Sequence, residues 1–578
     1  MDIIMIKIIK ILTTLFFFIF LNNAYAADEC GIPKPLVEGS SPNKLIVIIP
    51  ATTQGKKDWK SFKEKMVSES EGEQFAWMVY EHGIEFTSTG DAKNIALDIA
   101  SCIGEKVDVN NYQEILLVGH SVGGMLARYA YLHDAGAFLS DAPVADRWSS
   151  RVNKILLFAS VNRGIRPDAK WWSSPVNWLL RALPHPKLIL EDLAVGSDFI
   201  ADIRIAWIRY FGELNNEGST KVAPRVVQYW GRGDSIITED DNADIQAFSG
   251  PVVVRVSGAD HGDLQRLEPE YVDDIRARWE IYRKEIFDTR TQQVISTYSP
   301  RRVLMIVRGI RDSSNADWVQ NLSEKAEDFY GKDNVIEIEY GYFSAAHFSI
   351  KPIRGKNIPV FRDIYAQELA KNPLTKFDFI GHSNGTYILG HSLLTTQSMK
   401  FNNVVLAAPV LSTSFDWESL FKFKQVKSVR YDTSRWDWPV GILCQALRAI
   451  GFDDVGPSGL VSFGEGRMND GRVKQVGLYD GSHGAALQFD PDNGVDNLQH
   501  LLQFAITGNH FLSDIETSPD IGLMQQVSRA TIYVVWILVF LCLIFILRYF
   551  RNGGRVSLKS GMYFMSALFL VYGVLDII

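Results

Sequence analysis

Short apolar runs recur along both halves of the chain, each followed by polar or glycine-containing residues. Runs this short and continuous are typical of parallel strands that are covered on both faces. The segments after two of them, 125–130 and 387–392, have helical spacing. The pattern therefore predicts an α/β fold in each half. The runs are 44–49, 114–118, 226–230 and 251–256 in the first half, and 303–307, 377–380, 426–431 and 474–478 in the second.

The two predicted strand-to-helix junctions carry nearly the same pentapeptide. Residues 119–123 are Gly-His-Ser-Val-Gly, and residues 381–385 are Gly-His-Ser-Asn-Gly. A serine nucleophile must stand clear of the backbone on a sharp turn, and glycines at both ends relieve the crowding there. Two matches in equivalent contexts indicate a duplicated serine-hydrolase module with Ser121 and Ser383 as nucleophiles. A glycine-rich turn with an idle serine is the alternative for either copy.

Both halves resemble the α/β-hydrolase superfamily, over most of residues 40–505. Residues 118–128 are similar to the nucleophile region of lipase-like and GPI inositol-deacylase-like serine esterases. The resemblance implies two tandem α/β-hydrolase domains, at 40–295 and 300–508, each with a mostly parallel sheet flanked by helices. It also implies an acid and then a histidine downstream of each serine.

Residues that suit these roles follow the predicted strands. In the first half, a turn after strand 226–230 ends in Asp234, and His261 lies in the loop after strand 251–256. In the second half, Asp437 and His483 follow strands 426–431 and 474–478. The predicted triads are therefore Ser121, Asp234 and His261 in the first half, and Ser383, Asp437 and His483 in the second.

Other carboxylates compete for the acid role. Asp432 directly follows Tyr431 and would still lie in the strand. The two histidines of the pentapeptides, His120 and His382, are expected to be packed or hydrogen-bonded beneath the turn rather than to act as bases. The rivals of Asp234 are Asp240, Asp241, Asp260 and Asp263.

Acyl transfer also needs amides that stabilise the oxyanion. The residue after each nucleophile, Val122 or Asn384, supplies one. The second should come from the loop after the first central strand, where Thr52 and Ile310 are the candidates. The family usually carries His-Gly in this loop, whereas this chain has Pro50-Ala51 and Arg308-Gly309. Pro50 has no N–H to donate, which favours Thr52.

The first half has more residues between serine and acid than the second. The extra residues lie at about 165–224 and include Trp171, Trp172 and Trp178 among prolines. Such a segment could form a helical cap that lies over the serine and contacts a lipid-like acyl chain. A helical hairpin packed into the core is the alternative.

Composition narrows the function classes. A chain of 578 residues suits two α/β units, each of about 250 residues. The net charge of −8 gives no basic patch for nucleic acid. The sequence has no cluster of His, Cys and carboxylate residues with metal-ligand spacing and no convincing phosphate-binding loop. Catalysis should therefore need neither metal nor cofactor.

Both ends of the chain suggest a membrane. Residues 1–26 are typical of a secretory signal peptide, with an uncleaved anchor as the alternative. Two apolar stretches, 530–547 and 561–578, predict a transmembrane helical hairpin. The positive charges between them predict a cytoplasmic loop, so the hydrolase domains would be extracytoplasmic, on the periplasmic side of a bacterial inner membrane. Cys30 and Cys102 could form a disulfide there.

The sequence thus predicts a membrane-anchored serine hydrolase that cleaves carboxylic esters of lipids or other hydrophobic acyl compounds. Thioesters and amides remain open, because the same triad serves all three. Two alternatives stand beside this prediction. The second domain could be a non-catalytic binding module, or the whole chain could be a membrane-tethered scaffold without turnover.

Overall fold

The computed structural model describes residues 30–551, except for 70–71, 86–87, 139–146, 167–186, 215–222, 235, 239–240, 242, 248–250, 289–297, 311–316, 342, 462, 464–470, 491–493 and 510–521. The predicted signal peptide, the second predicted span and the three cap tryptophans lie outside these residues. The chain divides into two compact units. Among the described residues, those up to Ser299 together with Arg362–Leu374 form the first, and Pro300–Phe361 together with those from Thr375 onward form the second.

The first unit is built on a seven-stranded sheet in the order β1-β3-β2-β4-β5-β6-β7. Only the pairing of β1 with β3 is antiparallel among these neighbours. β4 lies at the centre between β2 and β5. The strands are β1 Lys34–Pro35, β2 Lys44–Ile49, β3 Phe75–Val79, β4 Glu114–His120, β5 Val152–Phe158, β6 Arg225–Gly231 and β7 Val252–Val256.

Helices cover this sheet. The long helix Asp198–Leu214 falls within the predicted cap region, and most of its side chains are buried. Phe199 of this helix stacks on Tyr129 of the helix that follows β4, with ring centroids 5.3 Å apart. The described part of the region therefore includes a core-packed helix. The α-helices of the unit are α1 Lys60–Val67, α2 Ala92–Asn110, α3 Val122–Asp134, α4 Ile189–Asp192, α5 Asp198–Leu214, α6 Ala243–Gln246 and α7 Ile275–Ile286.

The second unit contains a six-stranded, fully parallel sheet in the order β13-β12-β11-β10-β8-β9. Its central strand, β10, lies between β8 and β11, as β4 lies between β2 and β5. A short antiparallel pair, β14 with β15, is separate. The strands are β8 Arg302–Val307, β9 Val335–Ile338, β10 Lys376–His382, β11 Phe401–Ala407, β12 Val426–Ser434, β13 Val473–Tyr479, β14 Phe489–Asp490 and β15 Val495–Asp496.

Its helices include a π-helix, Pro439–Cys444, which begins two residues after the predicted acid Asp437. The α-helices are α8 Asp317–Tyr330, α9 Ala345–Ser349, α10 Lys351–Arg354, α11 Ile358–Lys371, α12 Asn384–Thr395, α13 Trp417–Lys422, α14 Gln445–Ala449, α15 Asn497–Thr507 and α16 Leu523–Arg551. Residues 362–371 of α11 belong to the first unit.

The central strands are buried on both faces, as the continuous apolar runs predicted. Residues 45–49 of β2 have no exposed surface. Burial on both faces is what parallel strands require, because helices cover the two sides of the sheet. The predicted α/β fold class, with parallel-dominated sheets flanked by helices, is therefore confirmed.

A buried ion network holds α11 in the first unit. The Arg204 guanidinium donates to both carboxylate oxygens of Asp244, at 2.6 and 3.1 Å. It also pairs with Asp363 of α11, which accepts from Arg163 at 2.8 Å. Arg204 and Asp244 are each 1 % exposed. Such charges are tolerated inside a protein only when they are paired.

The predicted span 530–547 falls within α16, but among the described residues there is no helix long and apolar enough to cross a membrane. The first turns of α16 are held by the second unit itself. Gln525 Nε2 donates to the Leu460 carbonyl oxygen at 3.0 Å, and Met524 and Ser528 are buried. The prediction of a span at this position is not supported.

Cys30 and Cys102 form a disulfide that links the segment before β1 to α2. Cys444 of the π-helix is a buried free thiol. The pairing that the sequence left open is therefore present in the structure.

Candidate active site

Ser121 lies on a strained turn between β4 and α3. Its backbone angles are φ 52° and ψ −117°, in a region that residues with a side chain rarely adopt. The turn needs glycine on both sides. A Cβ on Gly119 would come within 2.5 Å of the Gly124 Cα, and a Cβ on Gly123 would come within 2.1 Å of the Ile49 carbonyl oxygen. The second glycine thus lets α3 begin against the end of β2.

The structure brings the first predicted triad together. Ser121 Oγ lies 2.8 Å from His261 Nε2, and His261 Nδ1 lies 2.9 Å from Asp234 Oδ2. The Asp234 side chain is fully buried, whereas the His261 ring is about one-fifth exposed. With the ring proton on Nδ1 donated to the carboxylate, Nε2 is free to accept the serine proton. This arrangement can activate a hydroxyl for attack on a carbonyl.

The other oxygen of Asp234 fixes the orientation of the carboxylate. Asp234 Oδ1 accepts from the amides of Ile236 and Ile237, at 2.8 and 3.0 Å. Of its rivals, Asp241 accepts instead from Thr238, and Asp263 from the Asp260 amide. Asp240 lies outside the described residues. Asp234 is thus the carboxylate that the structure places behind His261.

His120, which directly precedes Ser121, is fully buried. Its Nε2 lies 2.8 Å from the carbonyl oxygen of His261, and its Nδ1 lies 2.8 Å from Gln54 Oε1. Burial, and the nearby His261, lower the pKa of His120 to about 3. The ring is therefore neutral at working pH and can donate to only one of these two oxygens; donation to the His261 carbonyl ties the serine turn to the loop that carries His261.

The oxyanion candidates flank this turn. Val122 is the first residue of α3, so its amide has no acceptor within the helix. In the loop after β2, the amide of Thr53 donates to Ile84 O at 3.0 Å, and that of Gln54 donates to Ala51 O at 3.1 Å. These two amides are engaged, and Thr52, just before them, remains the predicted donor of the loop.

The second site repeats the same backbone. Ser383 has φ 51° and ψ −119°, within a few degrees of Ser121. His483 Nδ1 lies 2.9 Å from Asp437 Oδ2, and Asp437 Oδ1 accepts from the Val440 amide at 3.1 Å. The rival Asp432 is buried and paired with Arg430 at 3.0 Å, inside the sheet as expected.

The remaining residues of the second site match their counterparts in position. His382 Nε2 lies 3.3 Å from the carbonyl oxygen of His483, as His120 does with His261. Asn384 is the first residue of α12, and its side-chain amide donates to the Tyr340 hydroxyl at 3.3 Å. Ile310 follows Gly309 in the loop after β8.

Sequence reasoning missed three side chains near these sites. Gln54 bridges the loop after β2 and the base loop, since its Nε2 donates to Gly262 O at 3.2 Å. His82 and Tyr340 contact the two candidate oxyanion loops. The sequence gives no signal for His82 or Tyr340, because each follows a strand adjacent to the strand that precedes the oxyanion loop.

Comparison with known proteins gives one family match. Residues 39–138, which include β2, β4 and Ser121, match the family described as "Putative serine esterase (DUF676)". The comparison with curated protein sequences finds no relative.

Solved structures of esterases are similar over almost half of the chain. Est2 from Thermogutta terrifontis with butyrate is 14% identical, with a TM-score of 0.28, over 44% of this chain and 93% of that one. Est1E from Butyrivibrio proteoclasticus with ferulic acid is 13% identical, with a TM-score of 0.29, over 45% and 95%. A lipase-esterase related protein from Clostridium acetobutylicum is 14% identical, with a TM-score of 0.27, over 44% and 97%.

The family match covers the segment in which β2, the strained turn and the start of α3 come together. Those are the elements on which a serine esterase places its nucleophile and its oxyanion loop. The chain is therefore a serine ester hydrolase, and the match to the serine esterase family lies in its first unit.

Proposed function

We propose that the first unit hydrolyses carboxylic esters through a triad of Ser121, His261 and Asp234. The observation that carries the proposal is the continuous path of 2.8 and 2.9 Å from the serine hydroxyl to the buried carboxylate. Whatever the alcohol of the ester, its acyl group is transferred to Ser121.

The steps follow from the geometry. Ser121 Oγ attacks the ester carbonyl while His261 Nε2 takes its proton, and the amides of Val122 and Thr52 stabilise the oxyanion. The His261 imidazolium is stabilised by Asp234 and gives its proton to the leaving alkoxide. A water molecule, deprotonated by the same nitrogen, then hydrolyses the acyl-enzyme and restores the serine.

We further propose that the second unit is a second hydrolase domain, with Ser383, His483 and Asp437 as its triad. The matching turn at Ser383 and the 2.9 Å contact between His483 and Asp437 support this. Tandem α/β-hydrolase domains would then share one architecture and differ in substrate.

A hydrophobic acyl group is the proposed substrate class. Trp436 and Trp438 flank Asp437 in sequence, and they are 49% and 40% exposed. Large exposed apolar side chains beside a site of this kind suit an apolar ligand. This support applies to the second unit, since the cap tryptophans of the first lie outside the described residues.

We also propose that both units function outside the cytoplasm, in a compartment such as a bacterial periplasm. The disulfide between Cys30 and Cys102 supports this, because such bonds persist in oxidising compartments. Thiol counting on the denatured protein tests it. Protein isolated without reductant should show two fewer reactive thiols than reduced protein, and equal counts would contradict the proposal.

Kinetics with p-nitrophenyl esters of graded chain length test the enzymatic proposal. Ser121→Ala should lower turnover by about a millionfold at the first site, because the triad acts as a unit. If Ser383→Ala removes a separate part of the activity, both units are enzymes. If it changes only the KM of the first site, the second unit binds and delivers substrate. A wild type without turnover on any ester would contradict the enzymatic proposal.

A further inference from the structure

The segment that follows β3 contacts the loop that carries Thr52. His82 Nε2 lies 2.9 Å from the carbonyl oxygen of Pro50, the residue directly after β2. Two residues further, the Ile84 carbonyl oxygen accepts from the Thr53 amide at 3.0 Å. Together, these two bonds hold the loop on both sides of Thr52.

The ring of His82 is fully satisfied as a neutral imidazole. Its Nδ1 accepts from the Ile84 amide at 3.0 Å, so the proton must be on Nε2 and is donated to Pro50. Burial lowers the pKa of His82, which favours the same neutral form. The ring is 1% exposed, and its tautomer is set by its own backbone.

The second unit makes the equivalent contact with a different side chain. The Tyr340 hydroxyl, which follows β9, contacts the carbonyl oxygen of Arg308 and lies 2.8 Å from that of Gly309. Arg308 follows β8 as Pro50 follows β2, so the same carbonyl position is held in both units. A histidine in the first unit and a tyrosine in the second therefore contact the equivalent backbone carbonyl oxygen, in the loop that carries the candidate oxyanion donor.

We propose that His82 is a positioning residue for the first active site: its Nε2–H holds the Pro50 carbonyl and so aims the Thr52 amide at the oxyanion. This inference rests on the proposed function of the first unit. An amide turned away from the developing charge loses transition-state stabilisation but leaves ground-state binding almost unchanged. The expected signature is a fall in kcat without a matching rise in KM.

Two substitutions separate the two bonds of the ring. Glutamine carries an N–H at the ε position, so His82→Gln can still donate to Pro50. Asparagine carries an acceptor at the δ position, so His82→Asn can still accept from Ile84 but cannot reach Pro50. Both are measured in a Ser383→Ala background, which isolates the first site. The control is His391→Gln in α12, whose ring lies 3.0 Å from the Asp454 carbonyl oxygen and outside the first unit.

We expect His82→Asn to lower kcat by about 10- to 100-fold, less than the loss of an oxyanion donor itself, while His82→Gln stays within about threefold. The affinity of a trifluoromethyl ketone, which forms an oxyanion on the serine, should fall in parallel with kcat. His391→Gln should change neither. Equal kcat in the Asn and Gln variants, or a change confined to KM, would overturn the proposal.

A second readout does not depend on turnover. Amide hydrogen exchange of peptides covering 50–54 should be faster in His82→Asn than in His82→Gln, because the loop is released in the first variant only. If the parent protein shows no Ser121-dependent turnover, the proposed function fails, and the exchange data still decide whether His82 holds the loop. Equal exchange in both variants would show that it does not.

Discussion

Replacing the triad acid by its amide gives the sharpest test of the first site. In Asp234→Asn, the two backbone amides of Ile236 and Ile237 still need an acceptor at Oδ1. The side-chain oxygen of asparagine must stay there, so its NH₂ group faces His261 Nδ1. That nitrogen must then accept, and the ring proton moves to Nε2, the atom that should take the proton of Ser121.

The wrong tautomer removes the base without changing the shape of the site. The expected loss in kcat is on the order of 10⁴-fold, as for the same change in a serine-protease triad. In free energy this is about 5 kcal/mol of lost transition-state stabilisation. Hydrolysis of p-nitrophenyl esters in a Ser383→Ala background measures it.

The matched control is Asp260→Asn, which removes an exposed carboxylate next to His261 in sequence. Its kcat should stay within about threefold, because exposed charges interact weakly. A loss below about tenfold in folded Asp234→Asn, or an equal loss in Asp260→Asn, would refute the assignment of Asp234.

Three further predictions concern stability. The native pKa of His120 is lowered to about 3, so the unfolded chain binds more protons than the native chain between that pH and about 6.5. The free energy of unfolding of the wild type should therefore fall by up to about 1.4 kcal/mol per pH unit as the pH falls through this range. His120→Gln should lack this component in urea unfolding at stepped pH. Asp244→Asn should cost about 3 kcal/mol in the same assay at pH 7, because the buried Arg204 guanidinium then keeps only one of its two carboxylate partners, Asp363. Gly123→Ala should prevent folding of the first unit, since its Cβ would meet the Ile49 carbonyl oxygen. The control Gly522→Ala has open space around the new Cβ and should change the free energy of unfolding by less than about 0.5 kcal/mol. Circular dichroism measures both.

Each of these has a clear contrary result. Parallel pH profiles for wild type and His120→Gln would mean that this ring titrates normally. An Asp244→Asn protein as stable as wild type would mean that the ion network contributes little. A folded Gly123→Ala protein would mean that α3 can shift away from the end of β2.

Local spacing was enough to predict much of the first site. The pentapeptide around Ser121 and the order of strand, acid and histidine identify three side chains that the structure brings within hydrogen-bond distance. They could be predicted because each follows directly from a strand end. The carboxyl ends of parallel strands meet at one edge of the sheet, so residues that directly follow different strands lie close together in space.

Contacts from neighbouring strands could not be predicted in this way. His82 follows β3, and it meets Pro50 only because β3 lies beside β2. Residues 362–374 group with the first unit, and Asp363 among them pairs with the buried Arg204, which is far away in sequence. The apolar run at 530–547 likewise does not reveal that, just before it, Gln525 donates to the Leu460 carbonyl oxygen and Ser528 is buried.

Mapping the site of covalent modification tests the central claim most directly. The intact protein is treated with a fluorophosphonate, digested and analysed by mass spectrometry. We predict an adduct on the peptide that contains Ser121, which is lost in His261→Ala even though the serine is still present. Modification of this peptide at the same rate without His261, or an unmodified Ser121 in an actively hydrolysing protein, would contradict the account.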